Sequence, residues 1–248
     1  MFLETELNGI RVFSFSELFQ IPNFIYMVSS RQTDSDLLHS ENTSDSARKQ
    51  SLSELAGVKS ENVFTLRQVH SAQTVVLDDA GLGLEDRELG PADGVIVTRP
   101  GLFAVVRTAD CVPVVVVFPK GNQVALFHMG WRGAKERILE KGLRKFLSLT
   151  GATPDEIKTA IGPFIRSCCY EVGDEVRKAF ENAGFRCDEV FQDRSLDLVS
   201  VDRAQLAECG VTEFLDSGLC TSCRNDLFYS YRRGRTVSRM WTLAGFKG

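Results

Sequence analysis

Residues 92–133 read ADGVIVTRPGLFAVVRTADCVPVVVVFPKGNQVALFHMGWRG, four short apolar runs separated only by turn-forming residues. Runs of this length bounded by Gly, Pro and Asn are strands, and Pro113 closes the helical option immediately after Cys111. The four cover 94–97, 103–107, 112–118 and 124–127, and similar runs lie at 11–15, 24–28, 63–67, 74–77 and 235–242. Helical periodicity appears later. Over 134–147, Ile138, Leu139, Leu143, Phe146 and Leu147 form one stripe opposite Lys, Arg and Glu, with Gly151 as a stop; 171–183 reads similarly. Strand clusters followed by late helices predict an α+β chain with a mixed-sheet sandwich rather than a regular βαβ alternation. The polar stretch from Gln32 to Gln50 lacks apolar periodicity in its first half, which predicts an exposed flexible loop around 32–46 leading into a helix. Neither a repeat nor a linker divides the chain, so 1–248 reads as one domain.

With 248 residues, 43% of them hydrophobic, the chain can bury such a core. A net charge of −4 and a pI near 5.5 argue against nucleic acid or an anionic membrane as partner and favour a small molecule. The N-terminus lacks a basic region followed by a long apolar one, and the run 112–118 is too short to span a bilayer, so a cytoplasmic protein is expected. Seven cysteines are an odd count without a regular framework, which predicts reduced thiols. Cys168, Cys169, Cys187 and Cys209 read as small core residues. Cys220-Thr221-Ser222-Cys223 has the spacing of half a structural zinc site or of a redox pair, but no second CxxC or HxxxH stands near it in the sequence.

Cys111 is different because of its neighbours. His128 lies 17 positions after it and His70 41 before it, each at or beside the end of a strand-like run, and the chain has only three histidines. Two imidazoles and one thiolate, projecting toward a shared edge, leave a fourth position open, which is the ligand pattern of a catalytic rather than a structural zinc. Taken singly, each residue is more simply a packed cysteine or a satisfied histidine; together they argue for the site.

The motifs RQVHSA, ADG…TADCVP, HMGWRG, IGPFIRSCCYEVG and CTSCRNDLFYSYRR, in this order, resemble the YfiH-like laccase-domain family. That family is also called multicopper polyphenol oxidase-like and is described as purine nucleoside phosphorylases. The resemblance covers about residues 60–245. It implies a three-layer α/β/α sandwich with one zinc per chain held by His70, Cys111 and His128. It also implies phosphorolysis of adenosine, inosine and methylthioadenosine, with deamination of adenosine. The family's HAGWRG is HMGWRG here, its late TGR is Ser238-Arg239, and its N-terminal STR-type segment with a glycine pair is SSRQTDSD.

Zinc held this way supplies Lewis acidity and acidifies water toward a pKa of about 7, which suits attack at C6 of adenine. Phosphorolysis needs a held phosphate, and arginine's planar fork suits that task. Arg132, four residues after His128, is the first candidate and Arg67 the second. Arg232 and Arg233 follow FYSY, whose Tyr229 either stacks on a purine or fills the core. Asp110 and Asp93 are either turn residues or carboxylates that orient a ligating histidine. Two competing activities use the same residues: a thiol hydrolase with Cys111 as nucleophile and His128 as base, and a zinc amidase editing peptidoglycan precursors. The thiol hydrolase leaves His70 unexplained. A multicopper phenol oxidase needs many more histidines than three.

Overall fold

The computed structural model describes residues 1–38, 44–78 and 87–248. One sheet has the order β1 (Phe2–Leu7), β2 (Ile10–Phe15), β3 (Phe24–Val28), then β15 (Met240–Phe246), β8 (Phe103–Thr108), β4 (Val63–Leu66) and β6 (Glu88–Leu89). A second sheet runs β14 (Leu215–Asp216), β11 (Lys158–Ile161), β9 (Val112–Phe118), β10 (Gln123–Met129), β7 (Gly94–Val97) and β5 (Thr74–Leu77). A short ladder joins β12 (Phe191–Gln192) to β13 (Ser195–Leu196). The helices are α1 (Ser16–Phe19), α2 (Arg31–Leu38), α3 (Asp45–Ala56), α4 (Trp131–Lys135), α5 (Ile138–Thr150), α6 (Asp174–Asn182), α7 (Cys187–Val190), α8 (Leu198–Ala207) and α9 (Tyr231–Gly234).

Alternation along the strands sets the layers. In β9, Val115 and Val117 enter the cluster between the two sheets, while Val112, Val114 and Val116 face α4, α5, α6 and α8. In β15, Ala244 and Phe246 face the second sheet and Trp241 and Leu243 face α3. Both faces of the central strands are covered, which is why these runs are continuously apolar in sequence. Each fully buried Val contributes about 1.5–3 kcal/mol. The expected sandwich of helices around mixed sheets is therefore present, with its middle layer built from two sheets. No helix among the described residues is long and apolar enough to cross a membrane.

The loop expected around 32–46 begins as helix instead. Thr33 N–H donates to Ser30 Oγ at 3.1 Å and Ser30 N–H to Thr33 Oγ1 at 2.9 Å, a reciprocal cap on α2. Asp34 pairs in the interior with Arg48 of α3 at 2.6 Å. Capping and a buried ion pair, not an apolar stripe, hold this helix, so periodicity could not reveal it; residues 39–43, with the third histidine, lie outside the described part. The helix expected over 134–147 is broken at Arg137, which takes φ 61° between α4 and α5. Gly142 lets α5 settle onto β10, because a Cβ there would meet the Phe127 ring at 2.1 Å.

Candidate metal centre and its cleft

The chain leaves the first sheet at Thr108 and enters the second at Val112, so Ala109, Asp110 and Cys111 form a crossover at the open edge of the sandwich. His128 is the penultimate residue of β10, opposite Pro113, with the parity of Val124 and Leu126 that faces between the sheets. His70 does not end a strand: β4 stops at Leu66, and the histidine sits on the following loop with φ 59°.

Asp93 organises both histidines. Its fully buried carboxylate accepts the backbone N–H groups of Val69 (3.2 Å), His70 (3.0 Å) and Ser71 (2.6 Å), together with the Ser71 hydroxyl (2.8 Å). Those bonds hold the left-handed loop that carries His70. The same carboxylate accepts His128 Nδ1–H at 2.8 Å, which leaves His128 Nε2 for Cys111 and the cleft. Burial alone would raise the Asp93 carboxyl, but the bonds from His128 and Ser71 hold it down at about 2. Burial likewise pushes the Cys111 thiol up, yet the imidazoles of His128 and His70 bring it down to about 6. Burial disfavours charge on His128, but the Cys111 sulfur and Asp93 raise it to about 9. The protein therefore favours a thiolate–imidazolium pair at this point.

His70 Nε2 lies 3.9 Å from Cys111 Sγ, the two imidazole rings meet edge-on with centroids 4.8 Å apart, and the ligand atoms of all three residues lie within 4.8 Å of one another. A tetrahedral zinc with bonds of about 2.3 Å to sulfur and about 2.0 Å to nitrogen has an S···N edge of about 3.5 Å, so the spacing and the donor types suit a single ion. Gly130 keeps the space clear: a Cβ there would stand 2.9 Å from His70 Cδ2 and 3.0 Å from Cys111 Sγ.

These groups open into a cleft of about 1220 Å³. Of the arginines expected to bind substrate, Arg132 and Arg232 line it. Arg132 lies against the Trp131 ring at 4.5 Å and has no carboxylate partner among the described residues. Arg232 stacks 5.1 Å over Tyr170 and donates to Glu171 O at 2.6 Å. Asp110 is also in the wall, with φ 87°, accepting from Thr221 Oγ1 at 2.6 Å and from Arg232 N–H at 2.7 Å. It shapes the wall, and the carboxylate that orients His128 is Asp93.

The other three expected contacts fall elsewhere. Arg67, the first residue after β4, is exposed and does not line the cleft. Arg233 is outside the wall too, tied to Ser222 O at 3.1 Å. Tyr229 is fully buried in the core under the Arg31 guanidinium, on irregular chain that leads into α9 at Tyr231. Tyr170 and Arg107 line the cleft without having been singled out from sequence. Tyr170's position directly after the Cys168-Cys169 pair was the available signal, whereas nothing local marked Arg107.

A sequence profile described as multi-copper polyphenol oxidoreductase laccase matches residues 37–247. The chain is 34% identical to adenosine deaminase RL5 of an unknown prokaryotic organism over 202 residues, 75% of this chain and 77% of the relative. It is 32% identical to a purine nucleoside phosphorylase of Clostridium acetobutylicum over 184 residues, 73% and 75% of the two chains. Among solved structures, the hypothetical protein YfiH of Bacillus licheniformis superposes with a TM-score of 0.82 at 26% identity, covering 98% of both chains.

Proposed function

Because the chain belongs to the multi-copper polyphenol oxidoreductase laccase family, whose relatives include proteins named purine nucleoside phosphorylase and adenosine deaminase, we propose that it is a zinc-dependent purine nucleoside phosphorylase that also deaminates adenosine. Its substrates are then adenosine, inosine and methylthioadenosine together with phosphate. The observation that carries this reading is the array Asp93–His128–Cys111–His70 opening into a cleft in which Arg132 has no carboxylate partner among the described residues. Two neutral imidazoles and a thiolate suit zinc, whereas the three histidines of the chain are too few for multicopper chemistry.

When bound, zinc supplies Lewis acidity at an open position. The protein does the rest. Asp93 fixes the tautomer and direction of His128 and the loop of His70. Arg132 offers its fork to a phosphate dianion beneath the ribose, so that phosphate takes C1′ as the purine leaves. Arg232, stacked on Tyr170, presents a second cationic edge, and the Tyr170 and Trp131 rings offer faces for the base.

A second reading draws on the lowered Cys111 thiol and raised His128, with Asp93 as orienter: this is also the arrangement of a metal-free thiol hydrolase. It gives His70 no role. Base release from adenosine and inosine, measured with and without phosphate and with a chelator, separates the readings. Phosphate-dependent release lost on chelation supports the phosphorylase; release that ignores chelator and phosphate overturns it. A zinc-loaded protein inert toward every nucleoside leaves the metal centre standing and rejects the substrate, returning zinc-dependent amide hydrolysis to the front.

A further inference from the structure

Cys168, Cys169, Cys220 and Cys223 converge on one point, their four Sγ atoms all within 4.8 Å of one another. Cys168 and Cys169 therefore are not core residues: Cys168 is exposed and Cys169 half-buried, on a turn closed by Cys169 N–H donating to Arg166 O. The CxxC turn is brought to them by the bridge between Phe164 and Cys220, with Thr221 N–H donating to Phe164 O at 3.0 Å. The partner that the CxxC lacked in sequence is thus a vicinal pair about fifty residues upstream.

We propose that these four cysteines bind a second metal ion, a structural tetrathiolate zinc separate from the His70–Cys111–His128 centre. The distances carry the assignment. Cys168 Sγ lies 3.8 Å from Cys169 Sγ and 3.7 Å from Cys223 Sγ, and Cys169 and Cys223 are 3.5 Å apart. Four sulfurs at about 2.3 Å from one tetrahedral zinc stand about 3.8 Å from each other. Disulfides need about 2.05 Å and would pair the sulfurs two by two. A four-iron, four-sulfur cluster places each cysteine on its own iron and a two-iron, two-sulfur cluster divides them two and two, so either holds sulfurs on different irons further apart than these are. Arg166 N–H donates to Cys220 Sγ at 3.4 Å, the kind of bond that stabilises a sulfur carrying negative charge.

The location gives the ion its work. Tyr170, next to Cys169, lines the cleft, and Thr221, next to Cys220, holds Asp110 beside Cys111. A zinc here ties the 166–170 turn to the 220–224 turn and so braces two parts of the cleft wall, without taking part in the chemistry.

The test uses the full chain carrying Cys111→Ala, which removes a ligand from the first centre only. We expect about one zinc per chain to remain in this variant against about two in the parent, and a cobalt-substituted sample to show the intense sulfur-to-cobalt absorption of a tetrathiolate. Cys168→Ser, which alters an exposed ligand, should weaken zinc retention by 10-fold or more in a competition with a chromophoric chelator while circular dichroism stays unchanged. A Cys111→Ala protein that is metal-free as purified and takes up neither zinc nor cobalt overturns the proposal, as does mass spectrometry finding the four cysteines as disulfides in freshly purified protein. Because the first centre is disabled in this variant, failure there leaves the proposed enzyme activity untouched, and failure of that activity leaves this site untouched.

Discussion

Asp93 and His128 are joined twice: the Asp93 carboxylate accepts the imidazole Nδ1–H at 2.8 Å, and the Asp93 carbonyl accepts the His128 backbone N–H at 2.7 Å. Side chain and main chain thus fix the ring together, and the same carboxylate folds the loop of His70.

Replacing Asp93 by Asn removes one anionic acceptor from a five-donor cradle and the charge that favours an oriented His128. Metal affinity should fall 10- to 100-fold, read by competition with a chelator. The acid limb of stability should change as well. A carboxyl held at about 2 instead of 3.8 contributes stability that is present above about pH 4 and lost as pH falls through 2, about 2 kcal/mol in all. The Asn variant should lack that dependence in denaturant melts from pH 5 to pH 2; an unchanged acid profile would show that the carboxyl is not depressed.

Metal-free protein should show an unusually reactive Cys111. Its thiolate fraction rises as pH climbs through about 6, so iodoacetamide labelling of the Cys111 peptide should approach its plateau by pH 7, well below the range of an ordinary cysteine. Added zinc should protect the residue. Labelling that begins only near pH 8.5 would contradict the thiolate–imidazolium pair.

Gly130→Ala puts a methyl group against His70 Cδ2 and Cys111 Sγ. The backbone conformation there, φ −84°, is open to alanine, so the melting temperature should barely move while zinc affinity drops at least 10-fold. Full metal loading in this variant would mean that the imidazole of His70 does not need its present position.

Arg132→Ala should raise the KM for phosphate 10-fold or more, a loss of about 1.4 kcal/mol or greater, and leave stability within about 0.5 kcal/mol because the side chain is exposed. Arg67→Ala, outside the cleft wall, should change neither. Steady-state rates over a phosphate series decide between them.

The strands were legible where a run of apolar residues is bounded by turn residues. β3, β5, β7 and β9 fall where the apolar runs place them; in β7 and β9 burial on both faces writes a continuous signal, whereas β5, a half-buried edge strand, was marked by its β-branched residues. β15 was misplaced toward Arg235, because Thr236 and Val237 carry β propensity while Val237 in fact stands exposed before the strand. Of the triad, Cys111 and His128 were legible because each lies at or near the end of a strand run, while His70 sits on the loop between β4 and β5. The cysteine cluster was not legible, since its halves lie about fifty residues apart and are joined by contacts between distant loops such as the Phe164–Cys220 bridge. For Tyr229, three residues before Arg232, the sequence left stacking on a purine and filling the core as alternatives, and tertiary packing puts the ring in the core.

His70 hangs from the first sheet, His128 lies near the end of a strand of the second, and Cys111 lies on the chain passing between them. An ion gripped by all three is a clasp across a seam, and its affinity is thermodynamically linked to how far that seam opens without it. Metal loading should slow amide hydrogen exchange most along this edge and least at the opposite end of the sandwich.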